Sequence, residues 1–127
     1  MDNDKETNEI RRALIIDDEV DLCMMIKNFF SRKNKQVDYS TSLKDGLLKF
    51  EEHEPDILIL DHNLPDGFGI GHIQAFKKKQ HKPLFIVVMS AMSNLRSKAL
   101  ESGADDFLDK PITFRKLNEL LKSRKAY

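Results

Sequence analysis

Short apolar runs recur along the chain, and polar segments separate them. The runs are Ala13–Ile16, Ile57–Leu60, Leu84–Met89 and the pair Phe107–Leu108. A short apolar run without alternation is typical of a strand buried on both faces, as in a parallel sheet. Val37–Ser40 alternates weakly between polar neighbours, which favours an edge strand. The pattern therefore predicts five strands.

Between the predicted strands, apolar residues return at the three- and four-residue spacing of amphipathic helices. These helices are predicted to begin near Val20, Leu43, Ile70, Asn94 and Phe114. Ser42 and Asp45 resemble a capping box at the start of the second helix. Strict alternation of strands and helices is typical of a parallel sheet with helices on both faces, joined by right-handed crossovers. The fold class is therefore α/β, with five strand–helix units in a doubly wound sheet.

Length and composition narrow the function classes. The 127 residues are enough for one domain with one core. Because 21 basic residues balance 21 acidic ones, the charge gives no case for nucleic-acid or membrane binding by this domain. No apolar run approaches the roughly 20 residues of a membrane span. We predict a flexible N-terminal tail over residues 1–11 and one folded domain over residues 12–127.

The single cysteine indicates the redox state of the compartment in which the protein resides. Cys23 lies in an apolar stretch and has no second cysteine to pair with. This favours a core thiol in a reducing cytoplasm. The polar N-terminus lacks the apolar segment of a secretory signal. The predicted location is therefore cytoplasmic.

Four of the predicted strands end in residues that carry chemistry. Asp17 and Asp18 follow the first strand, Asp61 the third, Ser90 the fourth and Lys110 the fifth. The carboxyl ends of parallel strands share one sheet edge, so these groups are expected to converge. Three crowded carboxylates repel one another unless a cation joins them, and Mg²⁺ prefers oxygen ligands. A lysine and a hydroxyl beside them suit phosphoryl oxygens, so the set indicates phosphoryl transfer to or from a carboxylate.

Four motifs together resemble one known family. They are LIIDDE (14–19), ILILDHNLPDGFG (57–69), VVMSA (87–91) and GADDFLDKP (103–111). Each motif alone is weak, but all four occur in the family's order and spacing. From Arg12 onward the chain resembles a response-regulator receiver domain of two-component signalling, similar to the chemotaxis regulator. The resemblance implies a flavodoxin-like (βα)5 fold with strand order 2-1-3-4-5.

The resemblance assigns expected roles at the metal and phosphoryl positions. Asp61 matches the phosphoacceptor. Asp18 matches the acidic residue that binds Mg²⁺ directly, and Asp17 the one that acts through water. The backbone carbonyl of Asn63 would complete the protein ligands, and Mn²⁺ could take the place of Mg²⁺.

It assigns further roles around the phosphoryl group. Lys110 matches the lysine that pairs with a phosphoryl oxygen, and the Lys110–Pro111 peptide would be cis. Ser90 matches the switch hydroxyl, and Phe107 matches the aromatic switch residue. Phenylalanine lacks the hydroxyl of the more usual tyrosine, so Phe107 can report by burial but cannot hydrogen-bond a partner.

The implied function is phosphorelay signal transduction. A sensor histidine kinase or a histidine phosphotransfer protein would donate a phosphoryl group to Asp61. The surface of the last strand and the last two helices would then change and engage a downstream protein or a second copy in a homodimer. The domain would not be an enzyme beyond catalysing its own phosphorylation and dephosphorylation.

Three alternatives stay open at this point. A receiver-like scaffold that is never phosphorylated would act by protein binding alone. A small Mg²⁺-dependent phosphatase would also use an aspartate nucleophile, but that class places it in a D-x-D motif after the first strand. A flavin-mononucleotide binder needs a phosphate loop after the first strand, where this chain carries the acidic run Asp17–Glu19.

Overall fold

A parallel sheet of five strands forms the centre of the protein. A computed structural model describes residues 9–124. The strand order is β2-β1-β3-β4-β5, with every neighbouring pair parallel. The α/β doubly wound fold and the strand order 2-1-3-4-5 are thus confirmed. The strands are β1 (Arg12–Ile16), β2 (Gln36–Ser40), β3 (Ile57–Asp61), β4 (Phe85–Ser90) and β5 (Asp106–Asp109).

Within residues 9–124, five α-helices connect and follow the strands. The Ser42 side chain accepts a hydrogen bond from the Asp45 amide at 3.2 Å, which is the Ser42 half of the predicted capping box. Short 3-10 turns at Gly69–His72 and Ser93–Leu95 precede the third and fourth helices. The fourth helix is therefore shorter than its apolar spacing predicts. The helices are α1 (Val20–Ser31), α2 (Leu43–His53), α3 (Ile73–Lys79), α4 (Arg96–Glu101) and α5 (Phe114–Arg124).

The sheet buries a separate apolar cluster on each face, because successive strand residues point to opposite sides. One cluster includes Ile59 and residues of α1 and α5, and the other includes Leu58 and residues of α2, α3 and α4. Cys23 is fully buried in the first cluster and donates from Sγ to the Asp17 carbonyl at 3.2 Å. Burial, and then the Asp17 charge, raises the pKa of Cys23 to about 12. The prediction of an unreactive core thiol agrees with this environment.

The chain is already packed before β1 begins. Ile10 is 2 % exposed and belongs to the core. The amides of Arg11 and Arg12 both donate to Asp56 Oδ2, at 2.8 and 2.9 Å. Residues 1–8 of the predicted tail lie outside the described residues, and the tail stays a prediction. Within residues 9–124, no helix combines the length and the apolar character needed to cross a bilayer.

The connection after β3 folds back against the end of the strand that precedes it. Asn63–Leu64 and Gly67–Phe68 pair as a short antiparallel ribbon, which the apolar pattern does not predict because two-residue strands carry no periodicity. A side chain at Gly69 would collide with the Asp61 carbonyl, so glycine permits this close approach. The Asp66 carboxylate then accepts the first amides of α2, those of Leu43 and Lys44, at 2.8 and 2.9 Å.

Asp66→Asn should lower the free energy of unfolding in a pH-dependent way. The Leu43 and Lys44 amides lower the pKa of Asp66, so its charged form favours the folded state. This stabilisation is complete above the unfolded pKa of about 4 and disappears as the pH falls through the lower folded value. Urea unfolding at a series of pH values should therefore show a gap between wild type and variant that narrows in acid.

Glu52→Gln is the matched control, since Glu52 is an exposed carboxylate on the same helix. The difference in the free energy of unfolding between Glu52→Gln and wild type should stay small at every pH. If the difference in the free energy of unfolding between wild type and Asp66→Asn widened in acid, it would contradict the stabilising role of the Asp66 carboxylate at the start of α2.

Candidate functional site

Three carboxylates meet at the carboxyl edge of the sheet. Asp61 is the last residue of β3, and Asp17 and Asp18 follow the adjacent strand β1. One carboxylate oxygen from each of the three lies within 4.8 Å of the others. Asp17 is 0 % and Asp61 3 % exposed, whereas Asp18 is open to solvent. The parallel sheet thus brings together residues that are about forty positions apart in the sequence.

Lys110 contacts the two buried carboxylates of this cluster. Its Nζ is 2.9 Å from Asp17 Oδ2 and 3.2 Å from Asp61 Oδ1. The same Nζ lies 3.1 Å from Glu19 Oε1. Sequence reasoning treated Glu19 only as part of an acidic run and missed this contact. Lys110 therefore holds the two buried carboxylates from one side.

The ionisation of the cluster reflects burial more than any single partner. Burial, followed by the Asp17 charge, raises the pKa of Asp61 to about 6, although Lys110 opposes the shift. Burial also raises the pKa of Asp17. Burial alone would lower the pKa of Lys110, but its contacts with Asp17 and Asp61 raise it above its ordinary value. The cluster holds more negative charge than its single lysine offsets.

The donor set fits a hard divalent cation. One oxygen of Asp17 accepts the Glu19 amide at 2.8 Å, while Oδ2 lies near Lys110 without a hydrogen bond of good geometry. The remaining carboxylate oxygens of Asp18 and Asp61 are hard ligands within reach of one ion. Oxygen ligands with surplus negative charge suit Mg²⁺ or Mn²⁺. The Asn63 carbonyl belongs to the ribbon directly after Asp61.

Ser90 and Phe107 lie on β4 and β5, the next two strands of the sheet after β3. Ser90 ends β4 and is 2 % exposed, and its Oγ accepts the Met92 amide at 3.0 Å. Phe107 lies opposite Val88 in β5 and is 1 % exposed, so its ring occupies an inward position. The Lys110–Pro111 peptide is cis.

Sequence comparison relates the chain to response regulators. The family model described as the response regulator receiver domain matches residues 13–122. The KDP operon transcriptional regulatory protein KdpE of Escherichia coli is 34 % identical over 87 % of this chain and 49 % of its own length. The response regulator ArlR of Staphylococcus aureus is 30 % identical over 84 % of this chain and 48 % of its own length. The chain spans about half the length of these curated relatives.

Solved structures give the same relationship. A CheY-like response regulator receiver domain from Methylobacillus flagellatus superposes with a TM-score of 0.81 at 28 % identity, over 91 % of this chain and 99 % of that one. A two-component response regulator from Clostridium difficile gives 0.83 at 26 % identity, over 91 % and 95 %. Response regulators receive phosphoryl groups from histidine kinases, and their receivers are phosphoacceptor signalling domains rather than enzymes in the usual sense. With its fold, its acidic cluster and these relatives, the chain belongs to the response regulator receiver domain family of two-component signalling.

Proposed function

We propose that this receiver domain accepts a phosphoryl group on Asp61 in a Mg²⁺-dependent reaction. The observation that carries the proposal is the placement of Lys110 Nζ against both Asp61 and Asp17, with Asp18 beside them. A cation on one side and an open carboxylate on the other leave Asp61 oriented as a nucleophile. The phosphoryl group would come from a sensor histidine kinase or a histidine phosphotransfer protein.

In the proposed step, an Asp61 carboxylate oxygen forms a bond to phosphorus as the phosphorus–nitrogen bond of the donor phosphohistidine breaks. The leaving imidazole keeps the bonding electrons and takes a proton from solvent. Lys110 offsets the charge on the phosphoryl oxygens and contacts Asp61 before and after transfer. Because Asp61 is buried, few water molecules reach the site to compete with Asp61 as the nucleophile.

The divalent cation would be held by the Asp18 and Asp61 carboxylates and the Asn63 carbonyl, with Asp17 acting through water. When bound, Mg²⁺ or Mn²⁺ supplies charge neutralisation of the phosphoryl oxygens. Asp17, fixed by Lys110 and by the Glu19 amide, orients this side of the site.

The output would be a population shift at the last strand and the last two helices. The Ser90 hydroxyl accepts the Met92 amide and keeps its own proton for donation, so it can turn toward a phosphoryl oxygen. The inward position of the Phe107 ring would accompany the turn of the Ser90 hydroxyl toward the phosphoryl group. A changed surface over α4, β5 and α5 would then engage a downstream protein or a second copy of the domain, in the cytoplasm.

Asp61→Asn should abolish phosphoryl incorporation. Incubation with a small acyl phosphate and Mg²⁺, followed by intact mass measurement, should show one added phosphoryl group on the wild type and none on the variant. Asp21→Asn is the matched control, because Asp21 is an exposed aspartate on α1. Its incorporation should equal that of the wild type.

Equal incorporation by wild type and Asp61→Asn would contradict the assignment of Asp61. No incorporation by the wild type with either acyl phosphate or phosphohistidine would favour the non-phosphorylated scaffold. Release of free phosphate without a protein-bound product in any variant would favour the phosphatase.

Removing the divalent cation should reverse the stability order of wild type and Asp61→Asn. In chelator, the variant should be more stable by about 1 kcal/mol, because it removes a buried carboxylate held against Asp17. Free Mg²⁺ at about one hundred times its Kd should stabilise the wild type by about 2.7 kcal/mol and the variant by much less.

Urea unfolding with and without Mg²⁺ measures both effects, with Asp21→Asn as the reference. If Mg²⁺ raised the free energy of unfolding by the same amount in all three proteins, the result would argue against a cation held by Asp61.

A further inference from the structure

Arg96 contacts Phe107 in two ways. As the first residue of α4, it donates from Nη2 to the Phe107 carbonyl at 3.2 Å. Its guanidinium carbon also lies 5.3 Å from the centre of the Phe107 ring, within the range of a cation–π contact. The Arg96 side chain therefore contacts both the backbone and the ring of Phe107.

A third contact fixes the guanidinium itself. Arg96 Nη1 lies 3.8 Å from Asp106 Oδ1, and this oxygen also accepts the Phe107 amide at 2.7 Å. The Arg96 and Asp106 side chains are 49 % and 32 % exposed, so this long ion pair contributes little by itself. It places a second guanidinium nitrogen of Arg96 beside β5.

A phenylalanine has no polar atom with which to hold its own ring in place. Phe107 is 1 % exposed, and the Arg96 guanidinium places a cation against its ring. The hydrogen bond to the carbonyl stays with β5 however the ring turns. The ring contact, in contrast, depends on where the ring lies, so it distinguishes inward from outward arrangements.

We infer that Arg96 is a positioning residue that latches the Phe107 ring inward and thereby favours the phosphoryl-accepting state of the domain. This inference rests on the proposed function, since it acts through the switch that Asp61 would drive. Neither the family relationship nor the acidic cluster assigns a role to this arginine. A lysine at this position would keep the charge but lose the paired contacts of the planar guanidinium, so it would fill the role only in part.

The latch predicts weaker binding of a phosphoryl analogue when Arg96 is removed. Arg96→Ala should weaken Mg²⁺-dependent beryllofluoride binding about threefold to tenfold, the scale of one cation–π contact with one hydrogen bond. Arg96→Lys should recover part of this loss. Affinity for Mg²⁺ alone should stay within about twofold of wild type, since Arg96 contacts Phe107 and Asp106 rather than the acidic cluster.

Two controls separate the latch from a general loss of stability. Lys98→Ala removes an exposed cation from the same helix and should leave beryllofluoride affinity unchanged. In a Phe107→Leu background, Arg96→Ala should cause no further weakening, because the ring is already gone.

Nuclear magnetic resonance tests the contact without any phosphoryl analogue. Ring current from Phe107 should shift the Arg96 side-chain protons upfield in the wild type, and the shift should vanish in Phe107→Leu. A missing shift, or an Arg96→Ala affinity equal to that of the wild type, would overturn the latch. No beryllofluoride binding by the wild type would overturn the proposed function and the coupling, while the ring-current shift still decides whether the contact forms.

Discussion

The burial of like charges at one sheet edge is the constraint on which the site depends. Asp17 and Asp61 are almost inaccessible to solvent, and carboxylates in such places favour their neutral forms. Lys110 contacts both carboxylates and opposes the rise of their pKa values. One lysine does not offset the whole cluster, and the surplus negative charge makes a divalent cation a favourable addition. The affinity for a phosphoryl group would follow from that arrangement.

The sheet satisfies this constraint by topology. A parallel order of β2-β1-β3-β4-β5 delivers the ends of β1 and β3 side by side, with β4 and β5 next in line. The central strands β3 and β4 contribute apolar side chains to both cores and carry a polar residue only at their carboxyl ends, Asp61 and Ser90. Glycine at 69 lets the following loop press against the Asp61 carbonyl, and Asp66 ties that loop to α2. The loop that carries the Asn63 carbonyl is thereby held at two points.

Much of this architecture could be predicted from the sequence, and the rest could not for physical reasons. Unbroken apolar runs locate the buried strands. The run that ends in Asp61 also locates the site, because a residue at the end of a central parallel strand lies at the carboxyl edge of the sheet. The contact between Glu19 and Lys110 was missed, since Glu19 lies beyond the end of β1 as the N-cap residue of α1, and the strand pattern does not set the direction of its side chain. The Arg96–Phe107 contact was missed as well. Helical periodicity says which residues are buried, but not which exposed arginine lies over a given ring.

The most direct test of the account is beryllofluoride binding to the wild type and to Asp61→Asn, each with and without Mg²⁺. Isothermal titration calorimetry measures both the affinity and the number of sites. The account predicts one site on the wild type that requires Mg²⁺ and is absent from the variant. Binding that persists in Asp61→Asn, or that is indifferent to Mg²⁺, would contradict the claim that Asp61 and its acidic neighbours form the phosphoryl-accepting site.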